Sequence, residues 1–233
     1  MTDTPTTADP TIGFRRTASA IALPLAFFLQ LVCNVIYLMI QTESGLDDTG
    51  NAAEALEMAG RYPAQFTAMS LLAFAGSLVL VPGALAALRV LRPTKPRLAL
   101  WAAVSLIMGY FVYGGSVLRN ADQIGLAVAG FGPTVASALD ANPYLAAFNP
   151  LMILFLWGNL VGPILLGIAV ILSRSFPWYV GALIMAWSVL HPIGLILGTE
   201  AGAVAGGALQ IIGCAFLAAR ALRTSDAEWA ARG

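Results

Sequence analysis

The chain has 233 residues, 59% hydrophobic and 10% charged, with a mean hydropathy of +0.81 and a formal net charge of zero. A soluble domain carries about 25% charged residues, so lipid must cover much of this surface. Zero net charge removes any bulk attraction to nucleic acid, and two cysteines without a C-x-x-C or Cys/His cluster argue against a thiol redox centre or structural zinc.

Residues 1–12 are rich in Thr, Asp and Pro and read as disordered, and the whole of 1–17 is assigned to a cytoplasmic N-terminal tail. Arg15 and Arg16 precede an apolar run that superficially resembles a signal peptide. The run is longer than an h-region and no A-x-A site follows, so it is expected to be an uncleaved first helix. A helix needs about 20 apolar residues to cross a hydrocarbon core. Six stretches qualify: 18–40, 66–91, 97–118, 149–172, 176–197 and 201–222. The expected fold is therefore all-α, a polytopic bundle of six transmembrane helices within residues 18–222, followed by a cytoplasmic tail over 223–233. His191-Pro192 is expected to end the fifth helix early, leaving 193–200 as a surface turn.

Two loops are long, 42–65 and 119–148, and the segments EALEM (54–58) and VASAL (135–139) predict short interfacial helices within them. These helices read either as solvated connectors or as a lid over a cavity. Ten of the twelve basic residues fall at the end of the bundle that holds both termini, leaving Arg61 and Arg119 opposite. The positive-inside rule then places both termini in the cytoplasm and the chain in the cell's inner (plasma) membrane. An offset of 82 aligns Gly76, Leu78, Val79 and Arg92 with Gly158, Leu160, Val161 and Arg174, the trace of a parallel repeat of helix hairpins or a chance match in apolar sequence.

Polar groups are costly in lipid and turn toward the bundle interior. Span one carries Gln30 and Asn34, four residues apart on one face. Span three offers Tyr110 and Tyr113, span four Trp157 and Asn159, span five Trp187, Ser188 and His191, and span six Gln210. Nearly all lie at mid-membrane or in the outer half. The inner segments 19–29, 78–88, 160–172, 177–186 and 211–219 hold no charged or amide side chain, and 98–108 adds only Ser105. This asymmetry argues against a proton-coupled path or a water-filled channel, which need polar groups throughout. It fits a blind pocket opening outward or sideways, with Gln30, Asn34, Tyr110, Tyr113, Trp157, Asn159, Trp187, His191 and Gln210 as its candidate ligand-binding residues. The competing reading is that the amides bond across helices and only fix their packing.

The only histidine, His191, reads first as a helix-end or pocket-wall residue. Glu200 and Asp122 are its only candidate partners for chemistry or metal, and their spacing supports no metal site. Cys33 and Cys214 lie in apolar stretches and read as packing residues. Gly158-x-x-x-Gly162 and Gly202-x-x-x-Gly206 have the spacing of close helix contacts, within the bundle or in a dimer. Trp101, Trp178 and Tyr179 suit an inner aromatic belt, and Pro82 and Pro163 are expected to kink spans two and four. Among catalytic motifs, Gly114-Gly115-Ser116-Val117 departs from the rhomboid G-x-S-G at its last position. No zincin, paired-carboxylate, Walker or dinucleotide motif is present, and no cofactor is indicated.

The order of the six spans and the segment LLAFAGSLVLVP (71–82) resemble bacterial six-helix membrane proteins without assigned chemistry, and the excess of Ala, Gly and Arg is similar to that of high-GC bacteria. The resemblance implies the topology and carries over no site residues. The expectation is a membrane protein that binds or helps to transport a lipid or other largely apolar small molecule. The alternatives are an accessory subunit with a protein partner or a second copy of itself, and a membrane enzyme of the outer face.

Overall fold

The computed structural model describes residues 9–46, 52–142 and 149–233. The predicted tail over residues 1–8 therefore lies outside the described residues. The elements are α1 (Ile12–Ser44), α2 (Ala52–Arg61), α3 (Pro63–Leu91), α4 (Pro96–Val117), α5 (Asn120–Val128), α6 (Pro133–Asp140), α7 (Asn149–Leu156), a π-helical segment (Trp157–Val161), α8 (Gly162–Ser173), α9 (Trp178–Ile196), α10 (Ala201–Leu222) and α11 (Asp226–Ala231). No strand occurs among the described residues. Six helical stretches are long and apolar enough to cross a membrane: α1, α3, α4 with α5, α7 through α8, α9 and α10. The protein is a multi-pass, all-α, six-helix membrane bundle, with short helices in both long loops.

Each long helix packs against its neighbours in the chain, and α10 returns to pack on α1, so the six close into a ring. Small residues set the approach between helices. A Cβ built on Gly109 would stand 2.5 Å from the Cα of Gly158, so α4 and the π segment meet backbone to backbone. Gly83 abuts the Leu23 backbone in the same way, and Gly202 and Gly206 abut α9. The two G-x-x-x-G pairs are thus used within the chain, where the missing side chains let the backbones touch.

Toward the end of the bundle that carries the described termini, each spanning helix contributes a fully buried aliphatic side chain. Leu23, Leu80, Leu106, Leu166, Ile184 and Leu217 are each at most 2% exposed. They belong to one continuous apolar cluster that also takes in Cys214. Many outward-facing apolar residues, such as Phe111 at 80% exposure and Ile196 at 84%, form the surface that lipid covers. Trp101, Trp178 and Tyr179 are also exposed on that outer surface.

Three details differ from the sequence expectation. Helix α9 runs through His191-Pro192 and ends at Ile196 rather than before 193. Pro192 removes only one backbone donor, and the real stop is Gly198, at φ +68°. There the Thr199 N–H donates to the Gly194 carbonyl and the Gly198 N–H to the Leu195 carbonyl, a Schellman end that requires the left-handed conformation glycine adopts freely. Second, 12–17 is helical, because α1 begins at Ile12. Third, residues 223–233 fold back: α11 is N-capped by Ser225, and Trp229 is 2% exposed beneath the Arg89 guanidinium, 5.2 Å from its ring. Arg16 on α1 holds this return by donating to the Leu222 carbonyl at 2.6 Å, to the Thr224 carbonyl, and to Asp226 at 3.0 Å.

At the opposite end, α2 and α6 cover the two predicted short helices, and α5 is a third that the hydropathy pattern had merged into loop. Met58 and Ala59 of α2 pack with Ile40, Phe66 and Val117 into a second apolar cluster. Asn120 fastens α5 to α3 by donating to the Ser70 hydroxyl at 3.1 Å.

Candidate functional site

The loop-end half of the ring encloses a cavity of about 520 Å³, lined from all six spanning stretches. Its walls are built by helical periodicity. On α1, Phe27, Gln30, Asn34 and Tyr37 recur every three or four residues and so share one face. The same rule places Tyr110 with Tyr113 on α4, Trp187 with His191 on α9, and Gly207 with Gln210 on α10. Asn159 enters from the π segment, and Glu200 from the turn that precedes α10.

The π segment has a local cause. Pro163 has no N–H to offer the Asn159 carbonyl, four residues earlier, so the regular α ladder breaks there. Widened turns of this kind often occur at functional positions. This one brings Gly158 and Asn159 inward, both buried, and turns Trp157 away. Trp157 stands 51% exposed and does not line the cavity. Its indole N–H donates to the Ser105 hydroxyl at 3.2 Å, which ties the π segment to α4. Of the predicted candidates, Gln30, Asn34, Tyr110, Tyr113, Asn159, Trp187, His191 and Gln210 meet at this one cavity, and Trp157 alone does not.

The aromatic wall is continuous. Phe27 meets Tyr110 edge to face at 6.1 Å, Tyr110 meets Tyr113 likewise, and Tyr113 stacks on Phe155 at 4.8 Å. On the far side Trp187 stacks on His191 at 4.5 Å. Such pairs hold ring orientation as well as burying apolar area. Met152, at 40% exposure, belongs both to the cavity wall and to the outer surface of the bundle. The fourth spanning stretch packs on α9 through its π segment and α8, below the level of Met152.

The polar groups divide by what they bond. Gln30 is a packing residue as well as a wall: its Nε2 donates to the Ala73 carbonyl of α3 at 3.0 Å. Asn159 and Gln210 differ. They are 6% and 2% exposed, yet Asn159 Oδ1 and Gln210 Nε2 have no hydrogen-bond partner among the described residues. His191 Nδ1 is also buried without a hydrogen bond and lies 3.6 Å from Glu200 Oε2. Glu200 is steadied by α1, its backbone N–H donating to Gln41 Oε1 at 3.1 Å. A buried polar atom left unpaired costs about 1–3 kcal/mol, and three such atoms here belong to residues of one cavity.

Sequence reading missed Phe27, Cys33, Tyr37, Met69, Phe155 and Glu200 as wall residues. Extending the Gln30/Asn34 stripe by a turn in each direction reaches Phe27 and Tyr37. Glu200, named in the sequence only as a candidate partner of His191, joins the wall beside it. Asp122, the other candidate partner of His191, lines a separate cavity of about 580 Å³ among α2, α5 and α6. Among the described residues no three His, Cys, Asp or Glu side chains group to hold a metal ion. Cys33 and Cys214 are both free, Cys33 at the cavity wall and Cys214 in the closed core. The chain matches no protein-family profile, no functionally described protein and no solved structure.

Proposed function

We propose that this protein binds, or helps to transport, a lipid or other largely apolar small molecule in the cavity at the loop end of the bundle. The observation that carries this reading is the convergence of unpaired buried polar atoms on a cavity whose walls are otherwise aromatic and aliphatic. Amides that served only to pack helices would bond across them, as Gln30 does; Asn159 and Gln210 leave polar atoms for a ligand to meet. The aliphatic cluster below the cavity makes it blind toward the termini. The positive-inside asymmetry orients the basic, terminal end toward the cytoplasm and opens the pocket outward from an inner (plasma) membrane. Access from the side, past Met152, suits a ligand already dissolved in the outer leaflet.

A second reading, an outer-face membrane enzyme, draws on the His191–Glu200 contact at 3.6 Å. A carboxylate beside an imidazole orients it for general-base work. The accessory-subunit reading draws on the cap helices as a docking surface. The experiment that decides among them is mass spectrometry of small molecules extracted from protein purified in nanodiscs, alongside a folded Asn34→Leu/Asn159→Leu/His191→Ala variant. A species enriched with the wild type and lost from the variant is expected. Equal retention by both proteins would remove the cavity from the function, and a stoichiometric protein partner without ligand would establish the accessory reading.

A further inference from the structure

The charge inventory of the cavity selects among apolar ligands. Among the described residues, Glu200 is the only Asp, Glu, Lys or Arg in its wall. It sits at the rim, 12% exposed, next to His191. With Glu200 ionised, the wall carries one negative charge when His191 is neutral and none when it is protonated. Among the described wall residues no arginine or lysine is present to receive a carboxylate or phosphate. An anionic amphiphile would find one neutral unpaired donor, Gln210 Nε2, and no fixed positive charge to offset Glu200, so much of its hydration would go uncompensated.

The aromatic faces point the same way. Tyr110, Tyr113 and Trp187 line the cavity, and aromatic rings attract cations at any face that a neighbouring ring leaves uncovered. Asn159 Oδ1, buried and unpaired, adds an acceptor on the wall. From these features, and resting on the ligand-binding reading above, we infer that the cavity takes an organic cation, an ammonium group on an apolar body, with the charge at Glu200 and the body against the aromatic wall.

Three probes of equal chain length test the charge alone: protonated decylamine, neutral decanol and decanoate. Each is measured by equilibrium dialysis against the full chain in nanodiscs, with empty nanodiscs subtracted. The amine is expected to bind about tenfold or more tightly than the alcohol, as a carboxylate and aromatic faces together provide, and decanoate more weakly than either. Glu200→Gln should bring the amine level with the alcohol while leaving decanol affinity unchanged. The series on the wild type stands even if that variant misfolds. Equal binding of amine and alcohol to the wild type would overturn the cation inference and leave the apolar pocket intact. Tighter binding of decanoate would overturn it too. Saturable binding of none of the three would overturn both.

Discussion

The two halves of the bundle are made from the same helices yet solve burial in opposite ways. Toward the termini, each helix contributes a leucine or isoleucine to one continuous buried apolar cluster. Toward the loops, the same helices present Gln30, Asn34, Tyr110, Asn159, His191 and Gln210, and the centre stays open over about 520 Å³. Apolar side chains have no bonding directions to satisfy, so they pack to closure. Amides and imidazoles need partners at set geometry, and Asn159 Oδ1, Gln210 Nε2 and His191 Nδ1 have no hydrogen bond among the described residues. The closed half is built for stability, and the open half carries the unfavourable terms of buried polar atoms left unpaired.

Four substitutions break or sharpen that contrast. The largest effect is expected where backbones touch: Gly109→Leu forces α4 off the π segment and should cost about 3 kcal/mol or more, read as loss of monodisperse folded protein in detergent. Next, Leu106→Ala in the closed half should cost about 2–5 kcal/mol in chemical unfolding, because a buried leucine leaves a cavity behind. Gln30→Leu should lose about 1 kcal/mol, the worth of its single bond to the Ala73 carbonyl. Asn159→Leu is expected to change stability least, by under about 1 kcal/mol and toward greater stability, since it removes an unpaired buried polar atom; ligand retention should fall all the same. An Asn159→Leu loss as large as that of Leu106→Ala would show that the two halves do not differ in kind.

Much of this architecture was legible in advance because hydropathy acts residue by residue. The span limits 97–118 and 201–222 lie within a residue or two of α4 and α10, since leaving the hydrocarbon core forces a polar or turn-forming boundary. The site was partly legible for a related reason. A polar side chain within a span has few places to go but inward, and helical spacing tells which residues go together. Trp157 shows the limit of that rule. An amphipathic ring is tolerated on the lipid side when its N–H finds a partner, as it does in Ser105. Pro192 shows another limit: a proline signals a lost donor, but whether the helix continues depends on the neighbours that hold it.

By itself the sequence determined the number of helices apolar enough to cross a membrane, which connections share an end of the bundle, and toward which end the polar groups lie. Each of these follows from the solubility of single side chains in lipid. Tertiary structure alone decided that the six helices close into a ring, that Pro163 turns Asn159 inward and Trp157 out, and that Glu200 reaches His191 across a turn. Those outcomes depend on backbone contacts such as Gly109 against Gly158, where the absence of a side chain matters only once the opposing helix is in place.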